Sequence, residues 1–256
     1  MTTDHEIVLA EKIQQSILPK DAPYLEGYEI SAYMKPAKVV AGDFYGYIPL
    51  LSGPKTIGLY VGDVVDKGIP AALYMMLANG ILRAGLSLTK EMSPEDTLLW
   101  LNLQLLQLMP DIEDDANHHN MNLTMVYGIL DAQKHEFSYA RAGHEIPYLI
   151  DSSGTFLHNE NGIGQPLGFL TAPLLDTSTL NIPPGGILVL HTDGIKDETN
   201  FKNQFFGNKR LEDLLVQNRS KSATEICSVV NQELISYRDN TSQHDDYTLM
   251  IIKRKY

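Results

Sequence analysis

The chain has 256 residues, 43% of them hydrophobic, and its 32 acidic against 20 basic side chains give a net charge of -12. This length allows one large domain with a substantial core, and no linker or internal repeat divides it. The acidic balance disfavours nonspecific binding to nucleic acid or to an anionic membrane. The single cysteine, Cys227, excludes an intramolecular disulfide framework, and its place on the apolar face of a predicted helix favours a packed thiol over a nucleophile.

No targeting or membrane-spanning segment is apparent. Nothing near Met1 resembles a signal peptide, and no apolar run reaches the length needed to cross a bilayer. We therefore expect a soluble, cytoplasmic protein.

The first predicted element is a helix from Asp4 to Leu18, which Pro19 ends. Such a helix, placed before the first strand, either packs onto its own domain or connects to another domain or a second subunit, and both interpretations stay open. Its apolar stripe consists of Ile7, Ala10, Ile13 and Ile17.

Strands and helices then follow in blocks rather than in alternation. Helices are predicted to open at Gly68 to Ala72 and at Ser93 to Asp96, because each has proline in its first turn, and a third runs from Ala223 to Tyr237. This order favours an α+β fold, and we predict a central antiparallel β-sandwich flanked by helices. The predicted strands cover residues 28–34, 43–50, 56–64, 123–130, 135–141, 147–150, 187–192 and 247–253.

Two aspartates are predicted to face each other across the first hairpin. Asp43 and Asp63 lie ten residues either side of Gly53, so a turn at Ser52 to Pro54 places their Cβ atoms about 5 Å apart. Like charges repel at that distance, and the two-residue period puts both acids on the apolar side of their strands. A divalent cation would keep both ionised. The alternative is a longer loop that leaves them as unrelated strand-end residues.

Further acids stand at strand ends. Asp193 follows an apolar strand, and Asp245 and Asp246 open the last one. Because sandwiches gather their loops at the ends, these acids could converge with the first pair. Carboxylate and backbone oxygens, without a matching cysteine or histidine cluster, indicate Mg²⁺ or Mn²⁺. Two such ions would clamp a phosphoryl group for hydrolysis, although Asp-Gly is also an ordinary turn signal.

In this order the motifs resemble the SpoIIE/RsbU branch of the metal-dependent serine/threonine protein phosphatases, which have the type 2C fold. The resemblance runs from Ile13 to the C-terminus, and it implies a connector or regulatory helix at residues 1–20 and a phosphatase domain at 21–256. The matching segments include Ala41-Gly42-Asp43-Phe44-Tyr45, Gly62-Asp63-Val64, Lys67-Gly68-Ile69-Pro70-Ala71-Ala72-Leu73, Ala142-Gly143-His144, Pro166-Leu167-Gly168, Thr192-Asp193-Gly194 and Asp245-Asp246-Tyr247-Thr248.

The resemblance implies a site for two Mn²⁺ or Mg²⁺ ions, with Asp43 bridging them. Asp246 stays the alternative to Asp245, because adjacent residues of a strand point to opposite faces. The implied reaction is attack of metal-activated water on phosphoserine or phosphothreonine, without a covalent enzyme intermediate. The implied ligands are Asp43, Asp63 and the Val64 carbonyl, together with Asp193 and Asp245.

The resemblance also implies partners. Members of this family typically dephosphorylate an anti-sigma-factor antagonist, a small STAS-domain protein, in a partner-switching pathway. The stretch ending at Pro19 resembles the family's connector to an upstream sensor or receiver domain, which often contributes to dimerisation. The chain would then be an excised catalytic module that forms a homodimer through its first helix.

The sequence departs from the family pattern at several positions near the motifs. Ala41 stands where glycine is usual, Gly46 replaces a common acid, and Asp66 replaces the glycine before Lys67. The segment Lys196-Asp197-Glu198 replaces a common Thr-Glu. None of these changes removes an implied ligand, so we expect activity.

Other polar residues have two interpretations each. His144 is a candidate proton donor to the leaving serine, but its turn favours a structural role. Lys35 and Lys38 could touch the substrate phosphate, or they are solvated. His118 and His119 could bind a second metal, although a polar loop is the simpler interpretation.

Two rival functions are consistent with this sequence. One is a catalytically silent, phosphatase-like module that binds a regulatory partner, against which the intact acids argue. The other is a metal hydrolase of small phosphoesters; the chain lacks a Gly-x-x-x-x-Gly-Lys loop that would cradle a nucleotide.

Overall fold

The structure is a computed structural model that describes residues 2–50, 53, 55–88, 92–109, 121–157, 164–239 and 241–255. Its helices are α1 (Thr2–Ile17), α2 (Ile69–Leu88), α3 (Pro94–Leu108), α4 (Gly207–Gln217) and α5 (Ala223–Arg238), with a 3₁₀ turn at Asp193–Ile195. Its strands are β1 (Tyr28–Lys35), β2 (Phe44–Pro49), β3 (Thr56–Val64), β4 (Leu123–Asp131), β5 (Glu136–Ala142), β6 (Tyr148–Ile150), β7 (Asp176–Asn181), β8 (Ile187–His191) and β9 (Tyr247–Arg254).

The strands form two antiparallel sheets that share one core. The first sheet has the order β1-β9-β8-β6 and the second the order β2-β3-β4-β5-β7. Leu190 and Met250 of the first sheet lie in the same buried cluster as Val61 and Val126 of the second. Helices α2 and α3 contact the second sheet, and α5 contacts the first. The predicted α+β sandwich with flanking helices is therefore confirmed.

The register of the β2–β3 hairpin confirms the predicted pairing. Phe44 pairs with Gly62 and Pro49 with Ile57, so one further step along the ladder places Asp43 opposite Asp63. Of the predicted turn, Gly53 donates to the Leu50 carbonyl at 3.3 Å, while Ser52 and Pro54 lie outside the described residues.

Two elements were not predicted. Strand β7 has the sequence Asp-Thr-Ser-Thr-Leu-Asn, which has little apolar alternation, and it forms because β5 supplies a paired edge. Helix α4 buries Leu211 and Leu215, and it was missed because no capping side chain marks its start. The predicted starts of the other helices hold: Ser93 caps α3, and Ser222 forms a capping box with Glu225 at α5.

Helix α1 forms where predicted, but its buried face differs from the predicted stripe. Ile13 is 47% exposed, whereas Gln14 is 2% exposed. The Gln14 amide donates to the Ala41 carbonyl at 2.7 Å and accepts from the Ala41 N–H at 2.9 Å. A glutamine can imitate a peptide group in this way, so a polar residue faces inward and attaches α1 two residues before Asp43.

Helix α2 corrects the expectation that no apolar run could cross a bilayer. Its segment Ile69–Ser87 is long and apolar enough by composition, but half of it is buried inside the protein. On the inner face, Asn79 accepts a hydrogen bond from Tyr60 of β3 at 2.7 Å. These features are those of a core helix.

The Gln14 contact yields a stability prediction. Gln14→Leu leaves a buried N–H and carbonyl of Ala41 without partners, so we expect a loss of about 2 kcal/mol in the free energy of unfolding. Gln15→Leu is the matched control, because the exposed Gln15 amide bonds only Glu11 within the same helix. Urea denaturation measures both variants, and equal midpoints would contradict the prediction.

Candidate metal centre

Five aspartates meet at one end of the cleft between the two sheets. Asp43 precedes β2 and Asp63 lies in β3, so both belong to the second sheet. Asp193 follows β8, while Asp245 and Asp246 precede β9, so these three belong to the first. The Asp63 carboxyl interacts with the other four. The structure thus brings together every aspartate that the sequence proposed for the site.

Asp43 is the most deeply placed of these acids, with 1% of its surface exposed. Its Oδ2 accepts hydrogen bonds from the hydroxyls of Thr192 and Thr248, each at 2.8 Å. Thr192 also accepts from the Thr248 N–H at 2.8 Å, which fixes the hydroxyl pair. Burial, followed by the charges of Asp63 and Asp246, raises the pKa of Asp43 well above its usual range.

Asp63 lies at the centre of the acid cluster. Burial is the main cause that raises its pKa to about 8, and the charges of Asp193 and Asp245 add to it, while a hydrogen bond with Asp43 opposes the shift. The backbone of Asp63 pairs with Thr124 of β4. An acid that holds its proton near neutrality in this way is one that a cation would convert to its ionised form.

Asp193 and Asp245 form the outer part of the cluster. Asp193 is half-buried at the start of the 3₁₀ turn, and burial and the neighbouring Asp197 and Asp245 raise its pKa. Asp245 keeps about a third of its side chain exposed and pairs with Lys67 at 3.0 Å. Both side chains therefore lie nearer the mouth of the cleft than Asp43.

Asp246 has a different set of partners. Its Oδ1 accepts from the Ala37 N–H and its Oδ2 from the Gly42 N–H, both at 2.7 Å. Both oxygens are thus bonded to the loop before Asp43, and the side chain is 4% exposed. Burial raises the pKa of Asp246, although the two N–H bonds act against the shift. Asp245 is the more exposed of the two and lies at the mouth of the cleft, which favours it as the metal ligand, whereas the buried Asp246 holds the loop before Asp43.

Glycines let the surrounding main chain approach the site. A Cβ at Gly42 would lie 2.9 Å from the Val64 carbonyl oxygen, which is the oxygen that the sequence proposed as a ligand. A Cβ at Gly194 would run into the Asp246 carbonyl. The glycines beside the acids therefore allow the loops to close around the carboxylates.

The donor set fits a hard divalent cation. It offers carboxylate and carbonyl oxygens, which Mg²⁺ and Mn²⁺ prefer, in a cleft where the acids repel one another. In the part of the chain that the structure describes, no three acidic, histidine or cysteine side chains already stand in ligand geometry around one point. The carboxylates would therefore have to rearrange in order to surround an ion.

His144 lies behind the site rather than in it. Its Nδ1 bonds the Thr124 hydroxyl at 2.9 Å, and the Arg141 guanidinium donates to its carbonyl at 2.6 Å. Arg141 is held in turn by a buried ion pair with Asp176 at 2.9 Å. Burial, with the charges of His191 and Arg141, lowers the pKa of His144 to about 3, so the ring is neutral at pH 7 and has no extra proton to donate.

Among the described residues, the lysine that pairs with these aspartates is Lys67 rather than Lys35 or Lys38. The Lys35 carbonyl accepts from Gln243, and Lys38 lies beside Gly68. His118 and His119 lie outside the described residues.

Sequence reasoning missed several residues that hold the acids in place. A buried ion pair joins Glu198 to Arg238 at 3.3 Å, and Glu198 also accepts from the His244 N–H, next to Asp245. The two hydroxyls on Asp43 were missed as well, although Thr248 follows Asp246 by two residues and so faces the same side of its strand. The two-residue spacing of Asp246 and Thr248 was therefore a signal that the sequence offered. The ion pair between Glu198 and Arg238 has no such signal in the sequence.

Comparison with known families and proteins gives a consistent result. The family model described as Stage II sporulation protein E (SpoIIE) matches residues 53–255. Protein IcfG of Synechocystis is 31% identical, over 97% of this chain and 41% of IcfG. Phosphoserine phosphatase RsbU of Bacillus subtilis is 28% identical, over 98% of this chain and 70% of RsbU. The chain thus spans less than half the length of IcfG.

Solved structures share the fold. The SiaA-PP2C domain of Pseudomonas aeruginosa has a TM-score of 0.83 at 22% identity, over 98% of this chain and 97% of that one. The structure of the RsbU and RsbW domains of Rv1364c from Mycobacterium tuberculosis has a TM-score of 0.73 at 24% identity, over 91% of this chain and 61% of that one. The structure of RsbX in complex with magnesium has a TM-score of 0.62 at 16% identity, over 91% of this chain and 98% of that one. At these identities the likeness establishes the type 2C phosphatase fold.

The raised pKa of Asp63 predicts how stability depends on pH without metal. The unfolded chain loses this proton near pH 4, whereas the folded protein keeps it to about pH 8. Between these values Asp63 holds one proton more in the folded state, so its contribution to stability falls as pH rises, by ~1.4 kcal/mol per pH unit. Asp63→Asn should flatten this slope in metal-free urea titrations at pH 5 to 8. Parallel slopes for the two proteins would contradict the assignment.

The roles of the adjacent acids can be separated. Asp246→Asn loses one of two short bonds to buried N–H groups, so we expect the metal-free protein to lose about 1–3 kcal/mol of stability. Asp245→Asn should leave that stability within about 1 kcal/mol but weaken Mn²⁺ binding at least about tenfold. Denaturation and calorimetric titration measure the two effects. The opposite pattern would make Asp246 the ligand.

Proposed function

The chain belongs to the SpoIIE family of serine/threonine phosphatases, and from that premise we propose that it is a metal-dependent phosphoserine and phosphothreonine protein phosphatase. The observation that carries this proposal is the convergence of Asp43 and Asp63 from one sheet with Asp193 and Asp245 from the other. Neither sheet alone could assemble the site, so folding of the sandwich creates it.

We propose that two Mn²⁺ or Mg²⁺ ions bind between these acids. The magnesium complex of the structurally similar RsbX supports this choice of cation. When bound, the ions would supply an activated water and neutralise charge on the phosphoryl group. The residues that would hold them are Asp43, Asp63, the Val64 carbonyl, Asp193 and Asp245.

The observed contacts suggest Asp63 as the carboxylate shared between the ions. Asp63 interacts with both Asp43 and the outer acids Asp193 and Asp245. Asp43, to which the resemblance assigned that role, already accepts two bonds at Oδ2, from Thr192 and Thr248, which leaves Oδ1 for a metal ion. We therefore propose Asp43 as the inner, fixed ligand and Asp63 as the shared one.

The chain's other residues would orient the ligands. The two threonine hydroxyls fix the rotamer of Asp43, and Asp246 holds the loop from Ala37 to Gly42 against β9. His144 bonds Thr124, whose strand neighbours Asp63, so we propose that it positions this strand rather than donating a proton. The leaving serine would then take its proton from solvent in the open cleft.

We propose a phosphorylated anti-sigma-factor antagonist of the STAS type as the substrate. The name of RsbU, a phosphoserine phosphatase, and the RsbW domain beside an RsbU domain in Rv1364c support a partner-switching pathway. A catalytically silent partner-binding module is the alternative, and the complete set of acids disfavours it.

We also propose a cytoplasmic location and a link to an upstream sensor or receiver domain through α1. The outward side of this helix carries the apolar residues Val8, Leu9 and Ile13, each 44–51% exposed. Such a surface supports the proposed homodimer contact.

Activity tests the proposal. The wild-type chain should release phosphate from a phosphoserine protein only with Mn²⁺ or Mg²⁺, and Asp43→Asn should lower the rate at least about 100-fold, because a ligand and its charge are lost. Asp131→Asn is the matched control, since Asp131 caps a turn at the opposite end of β4.

Three outcomes decide between the candidate functions. Undiminished turnover by Asp43→Asn would reject the site. Metal binding without turnover on any phosphoprotein would favour the silent module. Faster turnover of small phosphoesters than of phosphoproteins would favour a small-molecule hydrolase.

A further inference from the structure

Lys67 crosses the mouth of the acid cleft. It lies in the turn between β3 and α2, three residues after Val64, yet its ammonium reaches the loop before β9. There it donates to the His244 carbonyl at 2.7 Å and to Asp245 Oδ2 at 3.0 Å. One lysine therefore ties the Asp63 side of the cleft to the Asp245 side.

The turn that carries Lys67 is built in an unusual way. Asp66 has a φ of 81° and Gly68 a φ of 86°, so a left-handed residue stands on each side of the lysine. The Asp66 carboxylate accepts from the Lys67 N–H at 2.7 Å, which stabilises the bend. This local geometry directs the Lys67 side chain across the cleft rather than along α2.

Both carboxylate oxygens of Asp245 are occupied in this arrangement. Oδ1 accepts from the Asp246 N–H at 2.8 Å, and Oδ2 holds the Lys67 ammonium. The Lys67 ammonium takes one lone pair of Oδ2, and its charge 3.0 Å from that oxygen would repel a divalent ion bound there. The lysine and a metal ion would thus compete for Asp245 Oδ2.

We propose that Lys67 is an internal competitor for the outer metal position, so that its ammonium occupies Asp245 in the metal-free protein and is displaced when an ion binds. This inference rests on the proposed metal site. Lys67 would set the affinity of the position formed by Asp193 and Asp245, and it would relieve part of the carboxylate repulsion while the ion is absent.

Lys196 supplies a matched comparison. It is another half-buried lysine of the cluster, but its ammonium binds Glu145 at 2.8 Å rather than a proposed ligand. Lys67→Gln and Lys196→Gln change the net charge equally. The loss of one positive charge therefore affects both variants, whereas the Asp245 carboxylate loses its ion pair only in Lys67→Gln.

The test is calorimetric titration of the metal-free full chain with Mn²⁺. We expect Lys67→Gln to bind the outer ion about fivefold more tightly than the wild type, as the loss of one partly exposed ion pair implies. Lys196→Gln should change the affinity less than twofold, and Lys67→Arg, which keeps the charge, should resemble the wild type.

Thermal unfolding gives a second measurement. Lys67→Gln should lower the melting temperature without metal by a few degrees, and saturating Mn²⁺ should remove that difference, because the bound ion replaces the lysine. A difference as large in saturating Mn²⁺ as without metal would mean that the bound ion does not replace the lysine on Asp245, and it would overturn the inference; loss of the bond to the His244 carbonyl alone leaves a smaller difference.

The outcomes separate this inference from the proposed function. If the wild type binds Mn²⁺ and Lys67→Gln binds it with the same affinity, the competitor role alone is overturned. The same holds if Lys67→Gln and Lys196→Gln gain Mn²⁺ affinity equally. An unchanged Mn²⁺ affinity with a raised KM for the phosphoprotein would make Lys67 a substrate ligand instead. Absence of Mn²⁺ binding in every variant would overturn the metal site, and the inference with it.

Discussion

Repulsion among crowded carboxylates is the constraint on which the rest of this structure depends. Asp43 and Asp63 stand opposite each other at the end of a hairpin, and three more acids approach them from the other sheet. In this partly buried site, each negative charge raises the pKa of its neighbours, and the main relief is a proton or a cation. The fold maintains this unfavourable arrangement, which indicates a binding function for the cluster.

The surrounding contacts show how the fold maintains it. The threonine hydroxyls hold Asp43, Asp246 holds the loop before it, and the Gln14 amide attaches α1 to the same loop. A second group, built on the Glu198 and Arg238 pair, holds the segment before Asp245. The inner acids are therefore fixed by many bonds, while the outer acids keep more freedom. This difference between fixed inner acids and freer outer acids suits a site that must bind and release an ion.

The parts of the structure that the sequence predicted are those with a local signal. Counting residues on either side of the hairpin turn placed Asp43 opposite Asp63. The proline and serine residues at helix starts located α2 and α3. The contacts across the cleft had no such signal, because Gln14 and Lys67 reach partners 27 and 178 residues away in the chain. The predicted buried stripe of α1 was wrong for a related reason. Its buried face is set by one polar side chain that imitates a peptide group, and periodicity does not register such a contact.

The most direct measurement is anomalous diffraction from crystals of the full chain grown with Mn²⁺. If the carboxylates form a two-metal site, the map will contain two manganese peaks in the cleft, with an oxygen of Asp63 within bonding distance of both. Peaks confined to other surface acids, with Asp63 still bonded only to protein groups, would contradict it.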